Sequence, residues 1–313
     1  MKLRNNNDNY CSYYKLVNRA EMFIVHQNYS EALNLYQKAF KINEGFSNDS
    51  YNALLCAVEL KNIDLVYFNA RVLAEKGLCI DFFEQFQILK NNTKYWNKIV
   101  EIVDSKGKIN IDYRIELERM LSNDQNIRPL RMDNSEAVKQ VDSLNFMKFK
   151  KLVIQYGYPS ERLIGIKCSE NRKGIAPQPQ RILLRHFYQN KYFSLDTFLL
   201  QSMKNLLIKP EEYATYSYFI NAPNTRCDVD PITLIDKKYY VFTLTDSIKN
   251  AIDNNRNSIC LFSREEHIEK IKFKETNNSK GFRIPQYSSI NSLSNLPKDI
   301  KESLMKDLHV IKF

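Results

Sequence analysis

Glycine and proline are scarce in this chain, with 7 and 9 copies among 313 residues. All-β sandwiches and barrels need many tight turns, which these two residue types supply, so their scarcity argues against such folds and favours helices. No window approaches about 18 consecutive apolar residues, the length of a membrane-spanning helix. No apolar segment follows the polar start of the chain, as a secretory signal would require. We therefore expect no membrane span and a cytoplasmic protein.

Cysteine pairs with the spacing of a metal or redox motif are also missing. The six cysteines stand at 11, 56, 79, 168, 227 and 260, and none forms a CxxC pair. Glycine-rich phosphate loops, HExxH and GxSxG are absent as well. The sequence therefore predicts six reduced thiols, no metal and no cofactor.

What the chain does contain is apolar residues (43%) and aromatic residues (12%), enough for a sizeable core over two domains. The first 104 residues are balanced in charge, so the net charge of +10 lies in the remainder. Seven bases stand between Arg162 and Lys191 against the single acid Glu170. This segment would attract an anionic partner such as a nucleic acid, or it would form a solvated face. No RNA- or DNA-binding motif accompanies it.

Residues 1–104 show helical periodicity. The segment NYSEALNLYQKAFKI (28–42) carries an apolar stripe with small residues, and Ser30 is positioned to cap its helix. NYSEA at 28–32 aligns with NIDLV at 62–66, an offset of 34 residues. In period and in its small and aromatic positions this part resembles the tetratricopeptide repeat family. The resemblance implies a short helical array that presents a face to a peptide or a helix. The alternative is that the array only packs against the domain behind it.

The segment 105–111, SKGKINI, predicts a boundary, and residues 105–313 form a second helical domain. Helices are expected at about 112–123, 134–156, 181–190, 194–207 and from 210 onward. Lys238–Thr245 and Ser258–Phe262 are rich in β-branched and aromatic residues and could pair as a small hairpin. The intervening residues 246–256 could equally form a helix. The predicted fold is thus mainly α.

The polar segment Asp124-Gln125-Asn-Ile-Arg128 ends the first helix of this second domain. Gly157-Tyr-Pro159, His186 and the segment 209–214, KPEEYA, follow in order. Residues 110–225 resemble an uncharacterised bacterial family, a domain of unknown function that shares this order of motifs. The chain departs from the family pattern in having Arg185 before the histidine and Thr-Tyr-Ser-Tyr after Tyr-Ala. The resemblance implies a site and not a reaction.

These residues could form either a site or a structural network. Asp124 beside His186 would make an acid–base pair, Arg128 could clamp an anion, and Gln125 could orient a water molecule. Alternatively they form a buried hydrogen-bond network that joins helices. Arg181 and Arg185 are further candidate binding residues. We predict a protein- or peptide-binding accessory protein. The alternatives are a hydrolase that uses Asp124 and His186 and, third, an electrostatic nucleic-acid binder.

Overall fold

The protein is mainly α-helical, as the sequence predicts. The computed structural model describes residues 9–105, 109–128, 135–192, 194–221, 233–235, 238–276, 279–284, 291–292 and 308–310. Among the helices in these ranges, none has both the length and the apolar character needed to cross a bilayer.

The N-terminal part consists of helices joined by short turns. In order they are α1 (Asn9–Val25), α2 (Tyr29–Phe40), α3 (Ser47–Glu59), α4 (Ile63–Glu75), α5 (Ile80–Phe83), α6 (Gln87–Lys90) and α7 (Thr93–Asp104). The first two pairs pack as antiparallel hairpins. Ala20, Ala32 and Ala39 are fully buried, so their small side chains let α1 and α2 approach closely.

The second helix of each pair, α2 or α4, has an asparagine as its N-cap. The Asn28 side chain accepts a hydrogen bond from the Glu31 amide at 3.2 Å, and Asn62 accepts from Leu65 at the same distance. The two caps lie 34 residues apart, which matches the offset seen in the sequence. The prediction that Ser30 caps α2 is wrong. The helix begins at Tyr29 with Asn28 as its cap, so Ser30 lies inside its first turn.

The second part is also helical for most of its length. Its helices are α8 (Ile111–Ile127), α9 (Ser135–Tyr156), α10 (Glu161–Ile164), α11 (Pro179–Gln189), α12 (Asp196–Lys204), α13 (Pro210–Asn221), α14 (Asp246–Ser258) and α15 (Arg264–Thr276). Pro210 occupies the first position of α13 and two glutamates follow in its first turn, as the sequence predicts. Arg128, the C-cap of α8, keeps helical backbone angles (φ −70°, ψ −32°) although a proline follows it, and two carboxylates pair with its guanidinium.

Four short strands form a small sheet in the order β3–β1–β2–β4. They are β1 (Thr233–Ile235), β2 (Lys238–Phe242), β3 (Asn291–Ser292) and β4 (Leu308–Val310). β2 pairs antiparallel with β1 and β4. The predicted hairpin partner, Ser258–Phe262, is wrong, because this segment ends α14 and leads into α15. A run of β-branched and aromatic residues suits a buried turn as well as a strand.

One hydrophobic core extends from Tyr10 to Ile284 and crosses the predicted boundary near residue 105. Residues of the second part cover the face formed by α1 and α3. The Tyr14 hydroxyl donates to the Ile208 carbonyl at 2.8 Å, and Asn52 donates to the Arg283 carbonyl at 3.1 Å. The first part therefore packs against the second part through this face, a contact that does not decide between peptide binding and packing alone.

Two disulfides join the two parts, Cys11 to Cys260 and Cys79 to Cys168. Cys56 is a free, buried thiol, and Cys227 lies outside the described residues. The prediction of reduced thiols is therefore wrong for four cysteines. The partners lie 249 and 89 residues apart, so no local spacing reveals the pairing.

Candidate functional site

The predicted acid and imidazole meet where α8, α9 and α11 pack together. His186 Nδ1 lies 3.0 Å from Asp124 Oδ1, although 62 residues separate them. The Asp124 side chain is fully buried, whereas His186 keeps 13% of its side-chain surface exposed. The sequence thus identified a pair of residues that the fold brings into contact.

Asp124 also binds the other two members of its motif. Gln125 donates to Oδ2 at 2.6 Å, and Arg128 donates through Nε to Oδ2 at 3.0 Å and through Nη2 to Oδ1 at 2.5 Å. The 124–128 spacing places the aspartate and the arginine one turn apart on the same helix face. The carboxylate is therefore surrounded by donors on both oxygens.

These donors control the ionisation of Asp124. Burial alone would raise its pKa, but hydrogen bonds from His186, Arg128 and Gln125 outweigh burial and hold the pKa well below its usual range. Asp124 is therefore an anion at neutral pH, and it orients the imidazole of His186.

A second buried carboxylate, Asp142 on α9, completes the cluster. It accepts a hydrogen bond from Arg128 Nη2 at 2.7 Å and from Asn190 Nδ2 at 2.6 Å. Burial and the nearby charge of Asp124 raise the pKa of Asp142. Sequence reasoning missed this residue. The available signal was a carboxylate one turn after Val138, within the apolar stripe of α9.

Ligand atoms of Asp124, Asp142 and His186 lie within 4.8 Å of one another, close enough to surround a metal ion. Arg128, however, donates to both carboxylates. A divalent cation would have to displace a guanidinium that already neutralises them. The geometry therefore favours an Arg-bridged carboxylate pair over a metal centre.

The cluster offers one group for chemistry, the Nε2 atom of His186. Within the described residues this nitrogen makes no hydrogen bond, and no serine, threonine or cysteine lies within hydrogen-bonding distance of the imidazole. Two cavities, of about 640 and 420 Å³, are lined by other residues. The cluster thus has an oriented imidazole without a neighbouring nucleophile, and its hydrogen bonds join three helices.

The other candidate binding residues lie outside this cluster. Arg181 Nε lies 3.3 Å from Glu212, and Arg185 is exposed on α11. In the basic segment, Lys167 pairs with Glu118 and Arg172 with Asp81, each at 2.5 Å. Acids elsewhere in the fold thus neutralise part of the charge that a nucleic acid would need.

Asp124→Asn is expected to lower the free energy of unfolding by roughly 3 kcal/mol, because it removes the buried charge that Arg128 and His186 face. Glu118→Gln on the same helix is the control, since it removes an exposed pair worth less than about 1 kcal/mol.

The lowered pKa of Asp124 gives stability that is present above about pH 4 and is lost as the pH falls below it. Denaturant titrations at neutral and acid pH should show a larger loss in the wild type than in Asp124→Asn, in which Glu161, whose pKa is also lowered, still contributes. If Asp124→Asn unfolded at the same denaturant concentration as the wild type at neutral pH, a structural role of Asp124 would be contradicted.

A second feature, which sequence reasoning did not identify, is a groove of about 640 Å³. Its lining comes from α2, α4 and α7 with the residues that follow them, and from α10. The residues lining it are Phe40, Glu44, Phe68, Arg71, Val72, Glu75, Lys76, Ile102, Ser105, Ile109, Glu161 and Arg162. Its size is that of a ligand pocket or peptide groove.

Comparison with known proteins leaves the function to be argued from these features. No family model matches the chain, and no curated protein or solved structure matches it either.

Proposed function

We propose that this chain is an accessory protein that binds a peptide segment of a partner protein in the groove along α2, α4 and α7. The groove itself is the observation that carries the proposal. It has a volume of about 640 Å³ and is lined by α2, α4 and α7, in the part whose resemblance to tetratricopeptide repeats implies peptide binding. Because residues of the second part cover the face of α1 and α3, the opposite face is the one open to a partner.

The floor of the groove is apolar and partly exposed. Phe68 keeps 41% of its surface accessible. Val72 and Ile102 line the same groove. An aliphatic or aromatic side chain of a peptide would cover this surface and gain burial free energy.

Two arginines indicate the charge of the peptide. Arg71 Nε lies 3.6 Å from Glu75 and makes no hydrogen bond, although the atom is buried. Arg162 makes no ion pair with any described residue. A peptide carboxylate beside the apolar anchor would satisfy these donors. The preferred ligand is thus a short segment with a large apolar residue next to Asp or Glu.

Selection from a displayed library of random peptides with the full chain is expected to enrich this apolar–acidic pattern. Phe68→Ala and Arg162→Gln should each weaken binding of the enriched peptides at least roughly tenfold. Fluorescence anisotropy with labelled peptides measures this. The full chain is used because the repeats share one core with the second part.

Leu60→Ala is the matched control, since Leu60 is 44% exposed but lies outside the groove. It should leave peptide affinity unchanged. The proposal fails if enriched peptides bind Phe68→Ala as tightly as the wild type, or if selection enriches no shared pattern.

The hydrolase alternative has one specific observation in its favour, the oriented imidazole of His186 with an unbonded Nε2. An imidazole of this kind can act as a general base. Turnover of an ester, amide or phosphate ester that disappears in His186→Gln would establish this alternative. The absence of a nucleophile beside His186 in the described residues makes it the second choice.

A further inference from the structure

We propose that a second cavity, formed where the repeats meet the second part, binds a small zwitterion that carries a carboxylate and an ammonium group. The chemical class is that of a free α-amino acid or a dipeptide. The cavity has a volume of about 420 Å³, ample for such a molecule. It is separate from both the Asp124 cluster and the peptide groove apart from Glu161, which also lines the groove.

Charged side chains of both signs line this cavity, and most of them have a partner. Glu161 accepts hydrogen bonds from the amide and hydroxyl of Ser47, both at 2.6 Å. Arg181 pairs with Glu212 at 3.3 Å, and Lys209 donates to Asp49 at 2.5 Å. These pairs form the walls of the cavity. Lys274 also lines it and has an interaction partner, so Glu211 and Arg283 remain as the charged groups for a ligand.

Arg283 is the first of these groups. Its guanidinium donates to the Ile175 carbonyl at 3.2 Å and lies over the Tyr51 ring at 5.3 Å. Within the described residues it makes no ion pair with a carboxylate. Burial lowers the pKa of Arg283, because its charge is partly removed from water without a full counter-charge. A ligand carboxylate would supply that counter-charge through a charge-assisted hydrogen bond.

Glu211 is the second group. It lies in the first turn of α13 and lines the cavity. Its Oε2 atom is buried and has no hydrogen-bond partner. A buried carboxylate oxygen without a donor is costly, and the N–H groups of an ammonium would satisfy it. A cavity that contains a guanidinium without an ion-pair partner and a carboxylate oxygen without a donor complements a zwitterion better than a simple anion or cation.

The proposal is tested first without any variant. Full-length protein is titrated with each common α-amino acid and with dipeptides, and binding is followed by calorimetry. The best probe is then compared with the amine that lacks its carboxylate and with the acid that lacks its amino group. Removing either charge should weaken binding at least roughly tenfold. A dipeptide that binds more tightly than its constituent amino acids identifies peptides as the ligand source, and the reverse order identifies free amino acids.

Two variants then locate the site. Arg283→Gln and Glu211→Gln should each weaken binding of the best probe by at least roughly tenfold, while Arg19→Gln, at an exposed arginine outside the cavity, should not. Circular dichroism confirms that each variant is folded. Should one fail to fold, the comparison of the zwitterionic probe with its two singly charged analogues still decides whether the site recognises a zwitterion. The proposal is overturned if no zwitterion binds at millimolar concentration, if either singly charged analogue binds as well, or if both folded variants bind as the wild type does.

Discussion

Lys209→Met is expected to lower the free energy of unfolding by about 3–5 kcal/mol, one of the largest effects of any single substitution in the chain. Lys209 Nζ donates to Asp49 Oδ1 at 2.5 Å, and the Tyr13 hydroxyl donates to Oδ2 at 2.7 Å. Asp49 is fully buried on α3, and only 11% of the Lys209 side chain is exposed. Removing the ammonium leaves a carboxylate in the core with a single neutral donor. Methionine keeps the length and apolar stem of lysine, so the packing changes little.

A double variant separates the loss of the ion pair from other effects. Asp49→Asn with Lys209→Met removes both charges and keeps an acceptor for Tyr13, so it should recover most of the stability lost in Lys209→Met. Lys167→Met is the exposed control, since its pair with Glu118 is worth less than about 1 kcal/mol. Urea titrations monitored by circular dichroism give the values. Equal stabilities of Lys209→Met and the wild type would show that the two parts do not depend on this contact.

Local features of the sequence were sufficient to predict most helices. Pro210 with the acids that follow it marked the start of α13, and Gly77 with φ +103° follows the C-cap of α4. These signals lie within one or two turns of the element they define. Ser30 was misread as a cap because Asn28 offers the same chemistry two residues earlier.

Features that depend on distant parts of the chain were predicted less well. Asp124 and His186 were placed together because the order of motifs around them resembled that of a family, while Asp142 had no such pattern beside it. The hairpin partner of β2 was wrong because composition favours a strand without specifying its neighbour. The coverage of α1 and α3 depends on side-chain contacts more than 150 residues apart in the chain, such as Asp49 with Lys209.

The pairing of the cysteines also depends on distant parts of the chain. It bears on the predicted cellular location of the protein. Cys11 approaches Cys260 only because α1 packs near α15, and Cys79 approaches Cys168 across the two parts. Disulfides persist in oxidising environments. The prediction of a cytoplasmic protein rested partly on reduced thiols, and these two bonds remove that part of its support.

Reduction of the two disulfides is expected to lower the free energy of unfolding by about 2–5 kcal/mol for each bond. Each bond closes a long loop, of 249 residues for Cys11–Cys260 and 89 for Cys79–Cys168, so each restricts the unfolded chain strongly. Urea titrations with and without a reductant, on protein purified under oxidising conditions, measure the effect. Mass spectrometry of the digested, unreduced protein should recover both cross-linked peptide pairs.

Paired substitutions assign the effect to each bond. Cys11→Ala with Cys260→Ala should remove part of the reductant sensitivity, and Cys79→Ala with Cys168→Ala the rest. Cys56→Ala is the control, because this thiol is buried and unpaired, so the variant should respond to reductant as the wild type does. Identical unfolding curves of the wild type with and without reductant would contradict the pairing. In that case the ion pair of Asp49 with Lys209, and not the disulfides, would be the stronger link between the repeats and the second part.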